Sequence, residues 1–276
     1  MSAPARPRPV GGSYDPARTT GGGLTAELAR LEAQAELSFA EELRILGELG
    51  IGGATANAPL LELGAGSGAI TRRLRSAFPA LPLIAADIDG ELLSHAADSG
   101  AELMVADAAG LPLEDGSAGC VLLRYVLQHV ADPAAVVAEA LRVLRPGGTI
   151  VVTEVDSSCW GLADPAYPEL APIHAKIARA QEQAGGDRSI GRRLTRLLRG
   201  AGCTDIALRP FATTNDDLPT EMFAPHLGPQ RLEPLVAAGV LTFPELALAA
   251  DRWNRFRKDP DAWVMLLGFT AAGTAP

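Results

Sequence analysis

The sequence predicts a protein of the α/β class, in which helices cover both faces of a mostly parallel sheet. Two observations predict it. Between residues 58 and 156, short apolar runs alternate with segments of helical periodicity, which is the pattern of parallel strands joined by helices. A glycine cluster follows the first apolar run, and an aspartate ends each of the next two. Right-handed crossovers then determine how such a sheet is wound.

The first elements follow from apolar periodicity and from glycine and proline breaks. Apolar residues at helical spacing predict one long helix or two shorter helices over 24–49. Strands are predicted at 59–63, 83–86, 103–106, 120–123 and 149–155. Helices are predicted between them at 70–78, 92–97 and 133–144. A Pro-Gly-Gly turn at 146–148 is expected to precede the fifth strand.

The pattern is less regular after Asp156. Helices are predicted at 173–183 and 192–199 and as a pair within 229–257. Strands are predicted at 206–208 and 263–269. No internal repeat interrupts this order, so the second half is expected to complete the same domain.

Composition and charge exclude several classes of protein. The chain has 276 residues, 47% of them hydrophobic, and a formal net charge of −9, which argues against a nucleic-acid or anionic-membrane partner. The three cysteines form no C-x-x-C pair, and no residue pattern predicts a metal site. The apolar runs are shorter than the ~20 residues of a membrane span. The N-terminus lacks the apolar core of a signal peptide, so we expect a cytoplasmic protein with a small-molecule substrate.

The glycine cluster predicts a nucleotide site. Residues 64–69 read Gly-Ala-Gly-Ser-Gly-Ala, which satisfies the G-x-G-x-x-[GA] pattern between a strand and a helix. Asp87 and Asp107 end the next two strands, where carboxylates can hold ribose hydroxyls at the edge of the sheet. Glu62 adds a negative charge that a phosphate would not tolerate, so the three acids favour a cationic nucleoside. The alternative is that both aspartates are helix N-caps.

Four segments carry a family resemblance. Glu-Leu-Gly-Ala-Gly-Ser-Gly (62–68), Ala-Asp-Ile-Asp (86–89), Ala-Asp-Ala-Ala (106–109) and Leu-Arg-Pro-Gly-Gly-Thr-Ile (144–150) resemble, in order and spacing, the motifs of class I S-adenosylmethionine-dependent methyltransferases. A looser similarity over 186–194 and 201–203 is to the bacterial small-molecule branch, which includes ubiquinone/menaquinone-type and secondary-metabolite enzymes. The C-terminal Ala-Gly-Thr-Ala-Pro departs from the Gly-Arg-x-Pro ending of that family.

The resemblance implies an architecture. It implies a Rossmann-like sheet of seven mostly parallel strands, with an N-terminal helical cap and a lid inserted after strand five. The domain plan is then a flexible arm over 1–23, a helical cap over 24–53, a cofactor-binding core over 54–156, and a lid with the C-terminal completion of the domain over 157–276. Whether the protein is a monomer or a homodimer is left open.

The resemblance also implies the residues that bind S-adenosylmethionine. The methionine moiety would lie against Glu62, Gly64, Ala65, Gly66 and Gly68. Asp87 would hold the ribose hydroxyls, and Ile88 would lie against the adenine. Asp107 and Ala108 would meet the adenine amine and ring, and Arg124 would face the cofactor.

The catalytic residues are less determined, because methyl transfer from a sulfonium needs alignment more than a general base. His129 follows the fourth strand and is a candidate base or substrate ligand, or else a packed histidine. His174 is a candidate within the lid. Tyr14 is a candidate gate that folds over the site, with disorder of the arm as the alternative. Glu154 and Asp156 end the fifth strand and either face the acceptor or cap loops.

Two features bear on the acceptor. The arginines at 188, 192, 193, 196 and 199 either bind an anionic substrate or partner, or form the solvated face of a helix. Five apolar residues of the lid indicate an apolar acceptor: Leu218, Met222, Phe223, Leu227 and Leu232.

The predicted function is methyl transfer from S-adenosylmethionine to an O, N or C atom of a small, largely apolar metabolite, in secondary metabolism. A first alternative is an enzyme that uses the bound sulfonium only as an electrostatic aid, as in a pericyclase. A second is an NAD(P)-dependent oxidoreductase that uses the same glycine loop. A third is a regulator that only binds the donor, whose acceptor pocket would be filled by side chains.

Overall fold

The computed structural model describes residues 13–16, 22–51 and 58–276. Its sheet has seven strands in this part of the chain, in the spatial order β3-β2-β1-β4-β5-β7-β6. They are β1 (Leu60–Leu63), β2 (Leu83–Asp87), β3 (Glu102–Val105), β4 (Ala118–Arg124), β5 (Leu144–Asp164), β6 (Thr204–Thr214) and β7 (Trp263–Thr274). The first five pair in parallel, and β7 runs antiparallel to β5 and β6. The predicted seven-stranded, mostly parallel sheet is confirmed.

The strand order reverses between β1 and β4. The chain runs outward from β1 through β2 to β3, then returns to place β4 on the other side of β1. Ligands of open α/β sheets bind at this kind of switch point, beyond the carboxyl ends of the strands. The switch point therefore fixes where the site lies.

Helices cover both faces of the sheet. Those of the first half are α1 (Gly23–Glu48), α2 (Ala69–Ala77), α3 (Gly90–Ser94) and α4 (Pro133–Val143). Those of the second half are α5 (Ala171–Gln183), α6 (Leu194–Gly200), α7 (Ala224–Leu227), α8 (Glu233–Ala237) and α9 (Phe243–Phe256). Pro133 at the first turn of α4 costs no hydrogen bond, and Asp132 caps that helix by accepting the Ala135 N–H.

Two predicted boundaries are wrong. The fifth strand does not begin after the Pro-Gly-Gly turn at 146–148: it runs from Leu144 to Asp164, because β7 is long enough to pair with its distal part through two register shifts. The helix predicted at 92–97 is a short helix, α3, followed by a 3-10 turn at 97–99. Local periodicity does not detect such breaks, because the neighbouring segments decide them.

The N-terminal helix α1 is continuous, so the prediction of one long helix is confirmed and that of two shorter helices is wrong. Ala35, Phe39 and Leu46 join a buried cluster with Leu60 of β1 and Leu83 of β2. Burying these side chains attaches the helix to one face of the sheet. Apart from residues 13–16 and 22–23, the predicted arm lies outside the described residues.

Two helical insertions follow strand five. The first, with α5 and α6, lies between β5 and β6, and the second, with α7 to α9, lies between β6 and β7. Four of the apolar residues that indicated an apolar acceptor, Leu218, Met222, Phe223 and Leu227, pack instead into a cluster with Leu37 of α1. None of the five lines the cavity described below, so they do not support that indication. No helix in the described ranges is both long and apolar enough to cross a bilayer.

Candidate active site

A cavity of about 710 Å³ opens beyond the carboxyl ends of β1, β2 and β4, within the size range of small-molecule sites. We name its two sides. The donor edge comprises Glu62, Gly64, Ala65, Gly66, Asp87, Ile88, Asp107 and Ala108. The helical roof comprises Arg30, Leu31, Gln34, Ile177, Gln181, Arg188, Arg231 and Leu235.

The glycine loop is a tight backbone cradle. Gly64, Gly66 and Gly68 have φ angles of +72°, +55° and +77°, in the left-handed region that glycine adopts without strain. A Cβ on Gly64 would come within 2.3 Å of a Val126 methyl carbon. Gly68 does not line the cavity; it begins α2 and packs against Ala96, so its role in the structure is to make the turn.

Asp87 is fixed at the donor edge by backbone hydrogen bonds. Its carboxylate accepts the Gly66 N–H at 2.8 Å and the Asp89 N–H at 2.9 Å. Burial raises the pKa of Asp87, and these N–H donors oppose that rise. The side chain of Ile88, 44% exposed, adds an apolar wall of the cavity.

The helix N-cap alternative is wrong for both aspartates. Asp89, and not Asp87, caps α3. No helix follows Asp107 before β4; its carboxylate accepts the Ala109 N–H at 2.9 Å within a turn. Both acids line the cavity and remain available to a ligand.

Glu62 lies fully buried beneath the loop. The Thr71 hydroxyl donates to its carboxylate at 2.6 Å. Burial raises the pKa of Glu62 to about 7, although Thr71 and the charge of Arg124 oppose the rise. Ser67 Oγ, also at the cavity, is buried and has no hydrogen-bond partner among the described residues. A glycine cradle, three acids and an unpartnered hydroxyl fit a nucleoside that carries positive charge.

Arg124 lines the cavity, but its guanidinium is held by α1. Its Nε and Nη2 donate to Glu42 at 2.7 and 2.8 Å, and Nη2 also donates to the Ser38 hydroxyl at 3.1 Å. The guanidinium carbon lies 4.2 Å from the centre of the Tyr125 ring. The partner Glu42 is 82 positions away in the chain, which sequence motifs do not reveal.

His129 and Tyr14 meet inside the cavity. Their rings lie 5.2 Å apart, His129 Nδ1 shares a hydrogen bond of 3.0 Å with the Ser13 hydroxyl, and Tyr14 donates to Glu27 at 2.6 Å. Burial, aided by nearby arginines, lowers the pKa of His129 to about 3, so the imidazole is neutral at physiological pH. His174 is exposed on α5 and does not line the cavity.

The two acids at the fifth strand, Glu154 and Asp156, accept hydrogen bonds from neighbouring segments. Glu154 is fully buried and accepts the Gln128 N–H at 3.2 Å. Asp156 accepts hydrogen bonds from Ser158 and forms an ion pair with Arg192. Neither lines the cavity, so the capping alternative describes them.

The sequence analysis missed the charged residues of the helical roof. Arg231 belongs to no motif and was not predicted as a site residue. Arg188 was grouped with four arginines, but it lines the cavity while Arg192 and Arg193 pair with Asp156 and Asp187. Arg188 precedes the helix predicted at 192–199, and this was the available signal, because a residue outside a helix cannot belong to its solvated face.

Comparison with known proteins agrees with this geometry. The family described as "Methyltransferase domain" matches residues 61–152. The chain is 36% identical over 200 residues to an uncharacterised 37.1 kDa protein in transposon TN4556 of Streptomyces fradiae, covering 70% of this chain and 55% of that protein. It is 35% identical over 169 residues to a demethylmenaquinone methyltransferase of Clavibacter sepedonicus, covering 54% of this chain and 67% of that protein.

Solved structures share the fold. A phosphoethanolamine N-methyltransferase 2 of Haemonchus contortus, in complex with S-adenosylhomocysteine, matches with a TM-score of 0.55 and 16% identity, covering 88% of this chain and 56% of that chain. At that identity the likeness concerns the fold. The chain spans about half the length of several curated relatives that it matches.

Proposed function

The chain belongs to the class I S-adenosylmethionine-dependent methyltransferases, and from this premise we propose that it transfers a methyl group to an O, N or C atom of a small molecule with an apolar body. The observation that carries the proposal is the donor edge, where Glu62, Asp87 and Asp107 surround a glycine cradle at an open cavity. The demethylmenaquinone methyltransferase relative supports a small-molecule acceptor. A place in secondary metabolism is part of the proposal and rests on the sequence resemblance alone.

The donor edge would hold S-adenosylmethionine. When bound, it supplies a methyl group on a sulfonium sulfur, a good leaving group. Asp87, already oriented by two N–H donors, would accept the ribose hydroxyls, with Ile88 against the adenine. Asp107 and Ala108 would meet the other side of the adenine, and the loop at 64–66 would follow the methionine part. Glu62 would compensate positive charge from beneath.

We propose that Arg124 forms part of the cavity wall, while Glu42 neutralises its charge through an ion pair. The residues near the acceptor would position it and exclude water. His129, neutral and held by Ser13, would contact the acceptor as a hydrogen-bond partner. A pKa of about 3 makes it too weak a base to hold a proton at neutral pH. Tyr14, fixed to Glu27, would close the cavity as a gate. If His129→Ala left turnover and acceptor affinity unchanged, the role of His129 as a hydrogen-bond partner of the acceptor would be contradicted. If removal of residues 1–20 left turnover unchanged, the role of Tyr14 as a gate would be contradicted.

Calorimetry of the full chain tests the donor. We expect S-adenosylmethionine and S-adenosylhomocysteine to bind, and NAD(P) not to bind at millimolar concentration. Binding of the dinucleotide instead would overturn the proposal. Mass spectrometry then tests the reaction: a methyltransferase gives a product heavier by one CH₂ group with equimolar S-adenosylhomocysteine. Product without that increment would identify the pericyclase-like alternative.

A further inference from the structure

Two arginines of the helical roof line the cavity without a carboxylate partner. Arg188 lies between α5 and α6, and Arg231 ends the 3-10 turn at 229–231 that precedes α8. Arg188 Nη1 donates to the Gln181 side-chain oxygen at 2.9 Å, and Arg231 Nη1 donates to the His226 carbonyl oxygen at 3.3 Å. Across residues 13–16, 22–51 and 58–276, no carboxylate oxygen lies within 4.0 Å of either guanidinium.

The nearby acid is already neutralised. Glu27 acts on Arg231, but both of its oxygens accept hydrogen bonds from Arg30, at 2.9 and 2.6 Å. Tyr14 donates to the same carboxylate. Because Glu27 is already paired with Arg30, it forms no ion pair with Arg188 or Arg231 and offsets the charge of Arg231 only in part.

The groups around these arginines respond to the positive charge. Burial, followed by the charges of Arg188, Arg30 and Arg231, lowers the pKa of His129. Burial lowers the pKa of Arg231 to about 9, with further contributions from Arg30 and Arg188. Both arginines are half-buried in the cavity wall with no carboxylate of the described residues in contact, and an anion in the cavity would stabilise their charges.

We propose that the acceptor carries an oxyanion, a carboxylate or a phosphate or sulfate ester, that docks between Arg188 and Arg231. Guanidinium groups offer planar pairs of N–H donors that match such oxygens. The inference rests on the proposed function, since it names the substrate class of the same cavity. It also amends the predicted acceptor, which would have an apolar body against Leu31, Ile177 and Leu235 and a negative group at the two arginines.

A matched pair of probes tests this proposal. The probes are 8-anilinonaphthalene-1-sulfonate and the uncharged N-phenyl-1-naphthylamine, which has the same ring system without the sulfonate. Each is titrated by fluorescence into the full chain, with and without saturating S-adenosylhomocysteine. We expect the sulfonate to bind about 100-fold more tightly than the neutral probe, about tenfold for each of the two arginines.

Three variants assign the difference to the cavity. Arg188→Gln and Arg231→Gln are each expected to weaken sulfonate binding about tenfold and to leave the neutral probe within about twofold. Arg196→Gln, an exposed arginine of the same segment, is expected to change neither. Arg231→Lys should retain part of the sulfonate affinity, because it keeps the charge and loses the planar fork.

Unfolding in urea separates a binding role from a structural one. Replacing an arginine that has no carboxylate partner removes the free-energy cost of taking its charge out of water. The urea concentration at the midpoint of unfolding should therefore be equal or higher in Arg188→Gln and Arg231→Gln than in the parent chain. The inference would be overturned if the sulfonate did not bind, or if both probes bound with equal affinity. It would also be overturned if the two arginine variants lost affinity for both probes equally. Absence of S-adenosylhomocysteine binding in calorimetry would instead overturn the proposed function, while the titrations without it still decide the anion site.

Discussion

The donor edge and the helical roof line one cavity and differ in charge and in construction. The donor edge is acidic, and local hydrogen bonds orient it, such as those from Gly66 and Asp89 to Asp87. The helical roof is basic, and its residues come from three separate segments, around α1, α5 and α8. The comparison teaches that the cavity sorts its ligands by charge, since each side stabilises the sign that the other repels.

The largest effect is expected where α1, which supplies Arg30, Leu31 and Gln34 to the helical roof, is joined to the sheet. Arg124 of β4 pairs with Glu42 of α1, and both side chains are less than 10% exposed. Glu42→Ala leaves the arginine buried without a partner, so we expect the free energy of unfolding to fall by about 3 kcal/mol. Urea denaturation measures it, and the donor affinity should fall with it because α1 loosens from the sheet.

The neighbouring Glu41 provides the control. It is exposed and pairs with Arg44 on the same helix, and such pairs contribute little. We expect Glu41→Ala to change the free energy of unfolding by less than about 0.5 kcal/mol. If both variants lost the same free energy of unfolding, the buried pair of Arg124 and Glu42 would not be what holds α1 on the sheet.

The two sides also differ in how far the sequence predicts them. Glu62, Asp87 and Asp107 all line the cavity, as their positions at or beside the carboxyl ends of β1, β2 and β3 predict, because parallel strands end at one edge of the sheet. The pairing of Arg124 with Glu42 could not be predicted, since it depends on how α1 packs across 82 positions of sequence. The full length of β5 was missed for a similar reason: its distal part is extended only because β7 pairs with it.

An intermediate effect is expected from Asp87→Ala. The carboxylate would hold the ribose hydroxyls, and charged hydrogen bonds contribute ~1.5–3 kcal/mol each. We expect the affinity for S-adenosylhomocysteine, measured by calorimetry, to fall about 100-fold. The affinity for the anionic probe should not change, because that probe binds at the helical roof.

Asp89 distinguishes a binding role from a structural one at the same turn. It caps α3 by accepting the Glu91 and Leu92 N–H groups and does not line the cavity. Asp89→Ala should cost about 1 kcal/mol of unfolding free energy and leave donor affinity within about twofold. A comparable loss of donor affinity in both variants would mean that the turn, and not the Asp87 carboxylate, determines binding.

The smallest effect concerns the protonation of Glu62. Its pKa is about 7 because burial disfavours the carboxylate. A cationic donor favours the carboxylate, so binding releases a proton whenever the pH lies below that pKa. Donor affinity should therefore rise as the pH increases from about 5.5 to 7, by at most about tenfold per pH unit. Above the pKa of Glu62 the affinity should level off.

Calorimetry of S-adenosylmethionine in buffers with different ionisation enthalpies counts the protons released. We expect release near pH 6 for the parent chain and none for Glu62→Gln, in which the pH dependence is flat. Thr71→Val removes the hydroxyl that stabilises the carboxylate at 2.6 Å, so the rise should move to higher pH. A pH dependence unchanged in Glu62→Gln would assign it to another acid of the donor edge, such as Asp87, whose pKa burial also raises.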